Sequence, residues 1–104
     1  LGAIITLQQL VGTTMSNREF RKGLIQVQRR LQELLVFLGS TYVIKPLPEE
    51  RNEIVYQAYR QYLFTIIVKV NQAKLILNEN KDPRLREVHI RMTKIKHLVN
   101  SYLK

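Results

Sequence analysis

Few side chains in this sequence are of types that do chemistry, and their spacing decides against most of it. The two histidines, His89 and His97, stand eight positions apart. Helical metal ligands sit three or four apart on one face, so these two do not share an ion, and both fall outside the apolar seam as solvated side chains. Ser16, Ser40 and Ser101 fall at helix caps or ends with no Asp–His pair near them, which reads as capping and turn chemistry rather than nucleophilic catalysis. Glu49, Glu50 and Glu53 gather in one expected first helical turn, where they suit the positive end of the helix dipole. General acid–base work would need a raised pKa in a cleft. There is no glycine-rich phosphate loop. The absence of cysteine excludes disulfides and thiolate metal sites and fits an intracellular protein. No metal or other cofactor is expected.

Two stretches have the look of a nuclease motif. Arg51-Asn52-Glu53-Ile54-Val55-Tyr56 is similar to the motif of the HEPN ribonucleases, in which Arg, often followed by Asn, precedes a His by four to six residues. Tyr56 stands where the His belongs. Arg91 and His97, with five residues between them, satisfy the spacing, with Met92 in the Asn position. The resemblance covers six or seven residues of 104 and implies a small helical bundle in which Arg91 and His97 would be the catalytic pair. The main expectation is a protein that is not an enzyme.

What the residues do supply is positive charge. Seventeen Lys and Arg face eight Asp and Glu, a net charge of +9. The excess is uneven: residues 16–38 carry five basic and two acidic side chains, residues 83–104 six and one, and residues 48–82 five of each. Charge of this size repels itself in a folded domain and points to an anionic partner. Arg18, Lys22 and Arg29 fall nearly opposite the apolar seam of their helix. Arg84, Arg86, Arg91, Lys94 and Lys96 surround the seam of the last helix. Arg offers a planar fork that suits phosphate oxygens. No RNP, KH, zinc-finger or bZIP signature accompanies these residues, so contact would be to the backbone with little base specificity.

The elements that must position these cations are helices. Gly and Pro number four and three, too few for a many-turned β fold. Leu1 to Met15 reads as a short helix weakened by Gly2 and Gly12. It is too short to span a bilayer and has no basic start of the signal-peptide kind, and a chain opening on Leu1 is expected of a fragment or processed product. Ser16 to Glu19 matches a capping box, and Phe20, Leu24, Val27, Leu31, Leu34 and Leu38 follow in steps of four and three up to a stop at Gly39-Ser40. Thr41 to Pro48 reads as an extended crossover. A long helix is expected from Pro48 to Glu79 with Val55, Tyr59, Tyr62, Ile66, Val70, Ala73 and Leu77 inward. Asp82-Pro83 should open the last helix, with Leu85, Val88, Met92, Ile95, Val99 and Tyr102 inward. Tyr59, Tyr62 and Tyr102 lie on these seams, as core rather than base-stacking residues.

The expected protein is therefore all-α, one domain over residues 1–104: an up-down bundle of three long helices plus a shorter N-terminal one, with the crossover allowing a longer connection or exchange between subunits instead. Ile25, Val36, Phe64, Ile67, Val68 and Ile90 are apolar surplus off the seams and form a candidate oligomer or partner interface. The expected partner is nucleic acid, DNA or RNA, or an acidic protein, with membrane attachment disfavoured. The expected setting is the cytoplasm or nucleus, as a homo-oligomer or a subunit of a nucleoprotein assembly. The competing expectation is a scaffold module that docks protein helices through its heptad seams.

Overall fold

A computed structural model of the chain describes residues 17–103. The expected helix at Leu1–Met15 and the cap at Ser16 lie outside the described residues. Within them the structure is all-helical: α1 (Asn17–Phe37), α2 (Glu53–Glu79) and α3 (Leu85–Leu98), which runs on into a π-helical turn at Val99–Leu103. Among the described residues there is no strand, and no helix is long and apolar enough to cross a membrane.

α1 forms as its sequence dictates. Leu24, Val27, Leu31 and Leu34 are fully buried, with Phe20 and Leu38 packed at the two ends of the seam. The helix ends in a Schellman turn: Gly39, at φ 84°, donates to the Val36 carbonyl and Ser40 to the Leu35 carbonyl, both at 2.9 Å.

α2 starts later than expected. Pro48, Glu49 and Glu50 stay in the crossover, and the cap is Asn52, whose side-chain oxygen accepts the Val55 amide at 2.8 Å. Of the three glutamates only Glu53 reaches the first turn. The inward face also differs, with Tyr56, Tyr59, Leu63, Ile66, Val70 and Leu77 buried and Tyr62 and Ala73 half-buried. The stretch Tyr62–Val70 is apolar nearly all round, so its sequence permits two neighbouring faces. Tyr62 is turned aside because its hydroxyl is used by the crossover.

α3 opens at Leu85 rather than Pro83. Asp82 still organises the start: its carboxylate accepts the Arg84 amide at 2.8 Å, and its carbonyl the Leu85 amide at 3.1 Å. Val88, Met92 and Ile95 are buried as expected. Past them the π-helical turn shifts the register, so that Leu103 enters the core while Val99 and Tyr102 are half-buried.

The helices do not simply alternate in direction. Phe20, at the start of α1, packs its ring against Tyr56 at the start of α2, with centroids 6.1 Å apart. Leu35 and Leu38, at the end of α1, line a cavity with Ile66, Val70 and Ala73 of α2. α1 and α2 therefore run parallel, which corrects the expected antiparallel packing of neighbours. The longer crossover is what makes this possible. α3 runs against both: Tyr102 touches Gly23, Arg84 reaches the Leu38 carbonyl, and Arg60 donates to the Leu103 carbonyl at 2.8 Å.

The crossover is held as an added strand would be, but by side chains. The Gln32 amide donates to the Tyr42 carbonyl at 3.0 Å and accepts the Ile44 amide at 2.8 Å, burying Ile44 between α1 and α2. The Tyr62 hydroxyl accepts the Lys45 amide at 3.0 Å and lies 2.6 Å from the Tyr42 hydroxyl, while Tyr59 donates to the Lys45 carbonyl. Burial, with the nearby Tyr62 and Tyr42, pushes the Tyr59 hydroxyl up to about 12, so it stays a donor. Arg21 takes the Pro48 carbonyl at 3.1 Å, next to the start of α2.

Three substitutions test this packing. A β-carbon on Gly23 would meet Tyr102 Cβ at 2.2 Å, so Gly23→Ala should destabilise by about 1–3 kcal/mol in urea unfolding. An unconstrained helical Gly→Ala would instead gain about 1 kcal/mol, and such a gain would refute the close approach. Lys81 sits at φ 53° in the Schellman turn that ends α2, donating to Asn78 while Asp82 donates to Leu77. Lys81→Gly relieves a left-handed conformation and should raise stability by about 1 kcal/mol. Hydrogen bonds from Arg84, above all from its side chain, hold the Asp82 carboxyl down at about 2. A lowered carboxyl stabilises the fold above its unfolded pKa near 4 and loses that contribution as pH falls towards 2. The stability gap between the wild-type chain and Asp82→Asn should accordingly be largest above pH 4 and close towards pH 2. A pH-independent gap would contradict this.

Candidate nucleic-acid interface

The antiparallel packing of α3 on α1 brings basic residues of the two helices together. A groove of about 630 Å³ between them is lined by Arg29 and Arg30 from α1 and by Lys94 and His97 from α3. Gln26 and Ser101 add neutral hydrogen-bonding groups, and Glu33 is the acid at one end. Arg30 lies 3.5 Å from Glu33, a loose pair between exposed side chains that contributes little. Lys22 and Arg18, both exposed, stand one and two turns before Gln26 on the same line of α1. Arg18 and Lys22 stand about one helical turn (~5.4 Å) apart, and Arg29 and Arg30 follow about two turns on, past the neutral Gln26, bordered by Lys94 across the groove.

A second groove, of about 760 Å³, lies on the other side of α3, against α2. Lys74, Arg86, His89 and Lys96 line it together with Asn71 and Asn78, and no acidic side chain does. Lys74 Nζ is 2.7 Å from His89 Nδ1, within hydrogen-bond distance across the groove. α3 is thus a ridge with a basic groove on each flank.

The eight cations expected to bind nucleic acid divide accordingly. Arg29 and Lys94 meet in the first groove, and Arg86 and Lys96 in the second. Arg18 and Lys22 extend the first along α1. Arg84 is taken up by the fold: its guanidinium makes bonds of 3.1 and 2.8 Å to Asp82 and reaches the Leu38 carbonyl at 3.5 Å. Arg91 is pinned too, 3.1 Å from Glu87 and stacked over Phe37 at 4.9 Å from the ring centroid. Its place is a narrower cleft with Arg30, Glu33, Glu87 and Lys94.

Arg30, Lys74, His89 and His97 belong to the grooves and were not among those eight. Lys74 was hidden by the even charge balance of its segment: charge added up along the chain ignores that its side chain faces α3. The two histidines were read as solvated, and they are exposed. What sequence spacing does not convey is that each stands among cations from a neighbouring helix.

The nuclease-like stretches are used differently. Arg51–Tyr56 spans the cap and first turn of α2, with Asn52 capping and Tyr56 buried against Phe20. Arg91 is tied to Glu87 and Phe37, while His97 lines the groove with Arg29 and Arg30.

The six residues expected at an oligomer interface differ in their exposure. Phe64 and Ile67 pack against the core, and Arg60 covers Phe64 at 4.7 Å. Ile25 is half-buried. Val36, Val68 and Ile90 are exposed, but on three different helices. Comparison of the chain with protein-family models, with curated proteins and with solved structures finds no match.

Proposed function

We propose that this domain binds the phosphodiester backbone of nucleic acid without enzymatic activity, using α3 as a ridge between two basic grooves. The observation that carries the reading is the convergence of Arg29 and Arg30 on Lys94 and His97 from antiparallel helices. Cations from separate elements, facing one groove in a chain of net charge +9, make a concentrated positive field rather than a general solvated surface. The second groove supports the same reading, since no acid lines it. Backbone-directed contact gives low sequence specificity, and a single small domain of this kind works as one subunit of an intracellular nucleoprotein assembly.

A second reading, a module that docks protein helices, draws support from the exposed apolar side chains of Val36, Val68 and Ile90. It is compatible with the first, because neither the α1–α3 nor the α2–α3 groove is lined by Val68 or Ile90.

Binding to duplex and single-stranded probes of unrelated sequence should fall steeply as salt rises, with similar affinities across sequences. Lys94→Ala and Arg29→Ala should each weaken all probes alike and reduce the salt slope by about one. Arg84→Ala should act on stability and leave the slope unchanged. Affinity flat from low to physiological salt would overturn the reading.

A further inference from the structure

The cavity beside the end of α1 is unlike the two basic grooves. It measures about 510 Å³, within the range of roughly 300–1,000 Å³ common for small-ligand sites. Leu35 and Leu38 of α1 form one wall, and Ile66, Val70 and Ala73 of α2 the other. The crossover closes a third side as it leaves α1, at Gly39, Ser40 and Tyr42. Along α2 the lining changes from polar at Tyr62 and Thr65 to apolar at Val70 and Ala73, with Lys69 between. No acidic side chain lines the cavity, and it shares no residue with either basic groove.

Hydrogen-bond donors are left over on this lining. The Tyr42 and Tyr62 hydroxyls lie 2.6 Å apart, so one of their hydrogens is spent between them whichever of the two donates. The Tyr62 oxygen also accepts the Lys45 amide, which uses a lone pair and no hydrogen. One tyrosine hydrogen therefore remains to be given. Ser40 accepts the Tyr42 amide on its oxygen and keeps its own hydrogen. Thr65 differs, spending its hydroxyl on the Gln61 carbonyl at 3.0 Å. Lys69 is exposed, and none of the ion pairs among the described residues includes it. The cavity thus sets one positive charge and spare neutral donors at the edge of an apolar floor.

We infer that this cavity binds a free monoanionic amphiphile, a carboxylate carried on an acyl chain. The head group accepts from Lys69 and the spare tyrosine hydroxyl, and the chain runs over Ile66 towards Leu35, Leu38 and Ala73. The lining selects against the alternatives. An alkylammonium would set like charge on Lys69 and donors against donors. A plain hydrocarbon would leave the donors without acceptors. A phosphodiester chain is matched by the several cations of the grooves, whereas a single ammonium matches a single carboxylate. The net charge of +9 draws any anion towards the protein, and the lining decides where this one stays.

The test titrates the full chain, free of nucleic acid, with decanoate below its micellar concentration. Decanoate should saturate at one per chain, shift the nuclear magnetic resonances of Leu35, Tyr42, Lys69 and Val70, and raise the Tm with concentration. From octanoate to decanoate, affinity should rise about fourfold for each added methylene. Lys69→Met keeps an apolar stem without the charge and should weaken decanoate about five- to tenfold. Lys81→Met, at an exposed lysine that does not line the cavity, should leave the affinity unchanged. Ala73→Leu fills the apolar end and should shorten the chain that fits, so that octanoate overtakes decanoate; circular dichroism checks that each variant remains helical. None of these readouts involves the basic grooves, so this inference and the nucleic-acid reading fail separately. No saturable binding, equal affinity for decanoate and decylammonium, an affinity indifferent to Lys69→Met, or attachment to anionic phospholipid vesicles without uptake of decanoate would overturn the inference.

Discussion

The return of the chain between α1 and α2 is the constraint on which the remaining structure depends. Fifteen residues of backbone between the two helices must cross a small hydrophobic core, and unpaired amides there would be costly. Side chains solve this locally. Gln32 serves one stretch of the crossover with both ends of its amide, and Tyr59 and Tyr62 serve the next with their hydroxyls. Ile44 then enters the core, with Leu47 packed against it, from a segment whose other residues from Thr41 to Arg51 are exposed. Each of these bonds adds about 1 kcal/mol in net terms, but together they decide topology: the crossover travels back along α1, so α2 must start beside the start of α1. Parallel α1 and α2 leave α3 to run against both.

The same geometry distributes charge. Among the described residues no charged side chain is buried in the core, so all the positive excess is carried outside. The antiparallel contacts of α3 turn cations on separate helices into neighbours. Acids are placed where they serve the fold: Asp82 fixes Arg84 at the mouth of α3, and Glu87 fixes Arg91 beside Phe37. The cations that have such partners hold structure, and those of the grooves mostly do not.

Much of this was legible in the sequence. The seam of α1 was read residue by residue because it is strictly periodic and polar elsewhere. Gly39 marked its end by its conformational freedom. The seam of α2 was read partly from the wrong face, because Tyr62–Val70 is apolar nearly all round; Tyr62 lies aside with its hydroxyl on the crossover, while Tyr56 packs on Phe20 and Leu63 is fully buried. The start of α2 was misplaced because Pro48 and two glutamates make a good opening on paper, whereas the Pro48 carbonyl is engaged by Arg21 and the cap is supplied by Asn52. Leu103 was missed because a π-helical turn breaks the four-three rhythm that predicted Tyr102. The basic character of the last helix was plain from counting, but the pairing of Lys74 with His89, and of Arg29 with Lys94, depends on contacts more than a dozen residues apart in sequence. Local spacing carries no information about those.

The most direct test of the central claim is a map of the bound surface. In a nuclear magnetic resonance titration with short duplexes of two unrelated sequences, the amides and side chains of Gln26–Glu33 and Lys94–Ser101 should shift together, followed by those around Lys74 and Arg86. Both duplexes should give the same pattern, with the crossover at Tyr42–Lys45 unmoved. Shifts centred on the outer face of α2, or none on either groove at low salt, would contradict the account.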